Sequence, residues 1–180
     1  MSDFYTGTGD EGKTGILDNK RLLKSDYIIE AIGNVDELNS YLGVVYEKAN
    51  NEEIKKIIFK IQNDLFVIGA NLASLSNGKI EKATLQEEKL KFIEESIEFF
   101  SQEIPPLKQF VIPGGCESAT TLHVARSISR RMERSIVRAG TEYKLDKSLT
   151  SYANRISSLF FTMALYINIK NKVEEKHPTY

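Results

Sequence analysis

The chain has 180 residues, 41% hydrophobic and 27% charged, with a formal net charge of −1. It is long enough for one domain with a sizeable core and too apolar to be disordered. A near-neutral balance gives nucleic-acid binding no global support, and no window approaches the 18 apolar residues of a membrane span.

The N-terminus is polar and glycine-rich, unlike a signal peptide. A single cysteine, Cys116, excludes an internal disulfide and points to a reducing, cytoplasmic setting. The first motif is Gly7-Thr8-Gly9-Asp10-Glu11-Gly12-Lys13-Thr14, which fits G-x-x-x-x-G-K-[ST]. Glycines let backbone N–H groups approach anionic oxygens, the lysine adds charge, and the threonine hydroxyl can reach Mg²⁺. A P-loop hydrolase, however, delivers this loop from a buried strand into a helix. Only Met1 to Thr6 precede it, with polar Ser2 and Asp3, and Gly15 onward starts no convincing helix. Three readings stand: a hydrolase, a plain glycine-rich turn, and a phosphate-binding loop on another scaffold.

From about residue 34 the pattern is helical. Val35, Leu38, Leu42 and Val45 mark a helix over 34–49. Ile54, Ile57, Ile58, Ile61, Leu65, Ile68, Leu72 and Leu75 form an apolar stripe of about six turns, stopped by Ser76-Asn77-Gly78. A third helix is predicted from Thr84 as N-cap, with Glu87 completing a capping box. Its stripe is Leu90, Ile93, Ile97 and Phe100, and Pro105-Pro106 end it. Further helices are expected over 117–140 and 148–172, the latter carrying Tyr152, Ile156, Leu159, Phe160, Met163, Tyr166 and Ile167. Short connections between long helices predict an all-α, antiparallel four- to five-helix bundle. It forms a single domain over 1–180, with an irregular arm at 1–30.

The strongest chemical signal lies in the 117–140 helix. Arg126, Arg130 and Arg134 fall at i, i+4 and i+8, stacking three guanidinium groups on one face. Such like charges repel unless an anion or carboxylates neutralise them, and Glu133 can hold only one of them. A solvated basic face is the plainer reading. Asp36, Asn39, Ser40 and Gly43 share a polar face opposite Val35, Leu38, Leu42 and Val45. Asn154 and Arg155 sit in the first turns of the last helix, and Phe110 to Gly115 reads alone as a buried connector. His123 has no second histidine nearby, which favours a buried or capping role over a metal site. Cys116 lacks a Cys or His neighbour, and no Glu-x-x-His pair suggests a di-metal centre.

Taken together, Tyr5 to Thr14, Val35-Asp36-Glu37-Leu38-Asn39-Ser40, Phe110-Val111-Ile112-Pro113-Gly114-Gly115, Leu122 to Glu133-Arg134, and Asn154-Arg155-Ile156-Ser157 resemble the motifs of the PduO-type ATP:cob(I)alamin adenosyltransferases, in order and spacing. The resemblance runs from residue 5 to about 168. It implies transfer of the 5′-deoxyadenosyl group of ATP to the cobalt of cob(I)alamin, giving adenosylcobalamin and triphosphate. It also implies Mg²⁺ carried by the ATP phosphates, and a homotrimer with active sites between subunits. A corrinoid reductase and a B12-dependent acceptor enzyme are implied partners.

By the same resemblance Tyr5, Thr6, Gly7, Thr8, Gly9, Asp10, Gly12, Lys13, Thr14 and Lys24 would hold the triphosphate. Arg126, Arg130, Glu133, Arg134 and Asn154 would line the rest of the ATP site. Asp36 would pair with Arg126 across a subunit boundary near the corrinoid, and Phe110 would occupy the corrin's lower face. Ser158 and Leu165 depart from the family pattern, as does Met132, whose change is expected to be absorbed in packing. A non-catalytic ATP-binding bundle that senses nucleotide or delivers cobalamin is the alternative from another class.

Overall fold

The computed structural model describes residues 7–16, 20–75 and 85–179. Its arm is not wholly irregular: β1 (Lys13–Gly15) and β2 (Arg21–Leu23) pair antiparallel, with Lys13 opposite Leu23 and Gly15 opposite Arg21. Three-residue strands are too short to show alternation in a sequence. Five helices follow: α1 (Tyr27–Lys48), α2 (Glu52–Leu75), α3 (Glu87–Ser101), α4 (Glu117–Ala139) and α5 (Lys147–Lys170).

Helix α1 begins at Tyr27, well before residue 34. Asp26 caps it by accepting from the Ile28 N–H at 2.9 Å, and the Tyr143 hydroxyl donates to the same carboxylate at 3.0 Å. Gly33 looked like a boundary because glycine costs about 1 kcal/mol in a helix interior. Burial of Ile28, Ala31 and Val35 on either side outweighs that cost. Helix α3 begins at Glu87 with Gln86 as a cap that makes no side-chain bond. Glu87 is therefore the first helical residue and not the third, so it cannot close a capping box. Thr84 and the Ser76-Asn77-Gly78 stop lie outside the described residues.

The short connections at 49–51 and 140–146 join neighbours that run antiparallel. Helix α4 packs against both α1 and α5, with α2 on the far side of α1 and α3 against α5. The predicted stripes supply the core: Leu38, Leu42, Ile58, Ile61, Leu65, Phe100, Tyr152 and Phe160 are fully buried. Met132 is fully buried as well and Leu165 nearly so, both as packing residues.

One charge interrupts this core. Asp64, 2% exposed on the α2 stripe, accepts from the Tyr152 hydroxyl at 2.9 Å and pairs with Lys89. Burial, and then the Asp64 charge, hold the Tyr152 phenol well above its usual range. A carboxylate in this position is tolerated because it is paired and hydrogen-bonded. It ties α2, α3 and α5 at one point.

Candidate functional site

Helix α4 presents its arginines in two different settings. Arg131 donates to Glu37 and, at 3.3 Å, to the Asn34 side chain, while Arg138 lies 3.8 Å from Glu30 and over the Tyr27 ring. Arg131 and Arg138 are seven residues apart, as are Glu37 and Glu30 in reverse order, so antiparallel α1 and α4 meet as a ladder. Arg126, Arg130 and Arg134 look elsewhere. None of them forms an ion pair among the described residues. The Nε of Arg126 is buried without a partner, and its guanidinium stands 5.9 Å from the Phe161 ring.

Glu133, which could hold one of these arginines, pairs with none of them among the described residues. Glu133 instead accepts from the Asn154 amide at 2.9 Å, joining α4 to α5. Arg155 continues the chain, donating to Asn154 Oδ1 at 3.0 Å and to Glu94 at 2.8 Å.

Arg126 and Arg130 border a cleft of about 910 Å³ whose other walls include Phe110, Val111, Phe161 and Ser158. Arg130 also borders a smaller hollow of about 250 Å³ with Glu133 and Arg134. The structure thus places Phe110, Arg126, Arg130, Glu133, Arg134 and Asn154 along one continuous stretch of surface. A cleft walled by aromatic and aliphatic side chains together with two guanidinium groups suits an apolar body carrying an anionic tail.

The Phe110 segment is not a buried connector: Phe110 is 78% exposed, with its ring on the cleft wall. Its downstream end is fixed by Asn168, which is fully buried. Its amide donates to the Gly114 carbonyl at 3.1 Å and to Glu175 at 2.9 Å, and its Oδ1 accepts from the Cys116 N–H at 3.1 Å. Gly115, at φ +109°, is packed so tightly there that an added Cβ would overlap the Asn168 amide. Only glycine fits both the backbone angle and the space.

His123 is 3% exposed at the cleft wall, and both of its ring nitrogens lack hydrogen-bond partners among the described residues. Burial first, and then the Arg126 charge, lower its pKa from the ordinary histidine value, so the ring is neutral at pH 7.

In the arm, turns at Gly7–Asp10 and Gly9–Gly12 fold the glycine-rich loop back on itself, and Lys24 N–H closes onto the Gly12 carbonyl at 2.8 Å. Gly12 takes φ +77°, a left-handed angle that suits glycine. Arg21 donates to the carbonyls of Thr8 and Lys13, and Lys24 Nζ lies beside Gly9. The loop therefore gathers Lys13, Arg21 and Lys24 around Gly7, Thr8, Gly9, Asp10, Gly12 and Thr14. Arg21 carries no signal in the sequence because a lone arginine in a three-residue strand makes no pattern. Tyr5 and Thr6 lie outside the described residues.

Among the described residues, the arm and the cleft do not meet within one chain. Lys13 and Arg21 border a separate hollow with Tyr27 and Glu142, beyond the C-terminal end of α4. Arg130 lies at least nine residues back along that helix, roughly 13 Å. Asp36 is exposed on α1, borders neither cleft, and has no partner among the described residues.

Comparison with known proteins adds to this geometry. Residues 4–167 match the family model described as cobalamin adenosyltransferase. A corrinoid adenosyltransferase of Citrobacter freundii is 38% identical over 179 residues, covering 99% of this chain and 98% of that protein. One from Bacillus subtilis (strain 168) is 35% identical, covering 94% of this chain and 89% of that protein. Among solved structures, a variant PduO-type ATP:corrinoid adenosyltransferase from Lactobacillus reuteri complexed with cobalamin and ATP superimposes with a TM-score of 0.92. It is 33% identical, covering 98% of this chain and 96% of that one.

Proposed function

The chain belongs to the cobalamin adenosyltransferase family, and as an enzyme of that family it adenosylates a corrinoid with ATP; we propose that its unpaired arginine row and Phe110 divide the work of that reaction between them. In this reading cob(I)alamin lies in the cleft. Its cobalt attacks C5′ of ATP, a Co–C bond forms, the C5′–O bond breaks, and triphosphate leaves with the electron pair. Negative charge gathers on the leaving group, so groups already placed there lower the barrier most. Arg126, Arg130 and Arg134 are such groups, together with Lys13 and Lys24 of the arm.

Tyr5, Thr6, Gly7, Thr8, Gly9, Asp10, Gly12 and Thr14 are proposed to grip the triphosphate, with Glu133 and Asn154 orienting the rest of the nucleotide. Phe110 presents an aromatic ring where a lower axial ligand would stand, disfavouring that ligand and easing reduction of Co(II). No general base is required, since no proton moves in the bond exchange.

Within the proposed homotrimer, two observations among the described residues support sites shared between subunits. Arm and cleft are separated within one chain, and Asp36 stands exposed on α1 while the Arg126 Nε lacks a partner. Asp36 of one subunit and Arg126 of the next are the proposed pair. The arm's donors, N–H groups and lysines, suit phosphate oxygens better than a cation. Mg²⁺ would therefore be held chiefly by the phosphates and would neutralise part of their charge. The Thr14 hydroxyl, only 3.5 Å from the Gly15 carbonyl in a weak contact, is available to it.

No helix among the described residues is long and apolar enough to cross a membrane. A cytoplasmic enzyme working with a corrinoid reductase and a B12-dependent acceptor enzyme is the proposed setting.

The observation that carries this reading is that Arg126 and Arg130, without an ion pair among the described residues, share one cleft with Phe110. The test is a product assay with ATP, Mg²⁺ and chemically reduced cobalamin under anaerobic conditions. The corrinoid spectrum should convert to the adenosyl form, with triphosphate released in equal amount. Phosphate as product would indicate a hydrolase, and nucleotide binding without release a non-catalytic module.

A further inference from the structure

The segment that carries Phe110 has little to hold it in place. Among the described residues, 105–113 make two hydrogen bonds, and both run to the chain's C-terminal tail. The Ile112 N–H donates to the Lys176 carbonyl at 2.7 Å, and His177 Nδ1 lies 2.9 Å from the Phe110 carbonyl. A carbonyl only accepts, so His177 Nδ1 carries the hydrogen and donates. This bond falls on the backbone of Phe110 itself.

The tail is fastened in turn. The Val173 N–H donates to the Asn168 carbonyl at 2.9 Å, and the Glu175 carboxylate accepts from the Asn168 amide, the group that also grips Gly114. Pro178 then reaches the cleft wall beside Phe110. Residues 173–178 thus form a strap from the buried end of α5 to a loop that otherwise lies open. An aromatic ring on an exposed loop can exclude a ligand only if the loop backbone is held against thermal motion.

We propose that His177 is a positioning residue for the corrinoid site: its Nδ1–H, acting with the Lys176 carbonyl, fixes the backbone of Phe110 and so the height of the ring in the cleft. The proposal rests on the assignment of Phe110 to the corrin's lower face. His177 is not among the residues that line the cleft, and its side chain is exposed, so replacing it leaves the core intact. The strap was illegible in the sequence because His177 and the Phe110 it holds stand 67 residues apart and share no periodicity.

The test uses the full-length protein loaded with ATP and cob(II)alamin, and reads the fraction of four-coordinate Co(II) by electron paramagnetic resonance. His177→Ala should lower the four- to five-coordinate ratio by up to about tenfold, the range of one neutral hydrogen bond. The rate from pre-reduced cob(I)alamin should stay within about twofold, because that species needs no ligand removed. His177→Asn should restore the ratio, since Asn Nδ2 occupies the place of Nδ1 and donates in the same direction. A wild-type ratio in His177→Ala, or no rescue by His177→Asn, overturns the proposal. Phe110→Ala is the control. If it too leaves the ratio unchanged, the assignment of Phe110 has failed, a result distinct from failure of the strap alone.

Discussion

Two sets of arginines ride on the same helix and differ in their company. Arg131 and Arg138 meet Glu37 and Glu30 of α1, and their charge is settled within the fold. Arg126, Arg130 and Arg134 border the cleft or the hollow beside it and form no ion pair among the described residues, the one carboxylate there, Glu133, being turned to Asn154. Arginine suits both tasks, since its planar fork matches a carboxylate or a phosphate equally well. The position of the second charge makes the difference. Where α1 supplies it, the arginine joins helices; where nothing supplies it, the arginine is poised for an anion or another chain. Repulsion along the unpaired row is a small standing cost to the fold, which a bound polyphosphate reverses.

The contrast is sharpest at adjacent positions. Arg130→Ala removes a cation aimed at the departing triphosphate, and kcat/KM for ATP should fall about 10²–10³-fold, the usual cost of losing one such donor. Thermal stability should hold or rise slightly, because a like-charge neighbour has gone. Activity within tenfold of wild type would place the row among ordinary solvated faces.

The next largest effect concerns Asp36 and Arg126. If they pair between subunits, each alanine variant should lose activity, with a coupling of about 1–2 kcal/mol between the two sites. Co-expression distinguishes a shared site from an internal one. An interface in which one chain still has Asp36 and its neighbour still has Arg126 is intact even though each chain is defective. Mixed oligomers of Asp36→Ala and Arg126→Ala chains should thus recover roughly a quarter of wild-type activity by random assortment. No recovery in proven mixed oligomers would rule out a pair formed across the boundary.

The same contrast explains how much of the molecule could be read in advance. Helix α2 was legible because Ile54 to Leu75 repeat at helical spacing over six turns, and a pattern of that length survives one intruder. The intruder itself was not: Asp64 sits on the stripe, and only the fold brings Tyr152 and Lys89 to it. The start of α1 was hidden because Gly33 looks like a boundary, although its cap, Asp26, acts locally on the Ile28 N–H and is only reinforced by Tyr143 far along the chain. The arginine row announced itself by spacing, yet which arginines are paired could not be read from α4 alone. Arg131 and Arg134 look alike in the sequence, and the docking of α1 alone separates them. Phe110 was singled out by family resemblance, while its exposure and its fastening to the tail required the tertiary structure.

The smallest expected effect is therefore as informative as the largest. Arg131 and Glu37 are each 48% exposed, so water screens their attraction and the pair should contribute no more than about 1 kcal/mol. Arg131→Ala should lower Tm by about 1–3 °C in a chain of this length. Raising the ionic strength should shrink that difference, because the screening length for exposed charges falls from about 10 Å at 0.1 M to about 3 Å at 1 M salt. Activity should stay within about twofold, since the side chain points to α1 and not into the cleft. A loss of activity approaching that of Arg130→Ala, with Tm unchanged, would mean that the α1 ladder and the cleft row act as one system. The split between paired and unpaired arginines would then describe geometry alone, and the carboxylates of α1 would have to be counted among the groups that set the charge of the site.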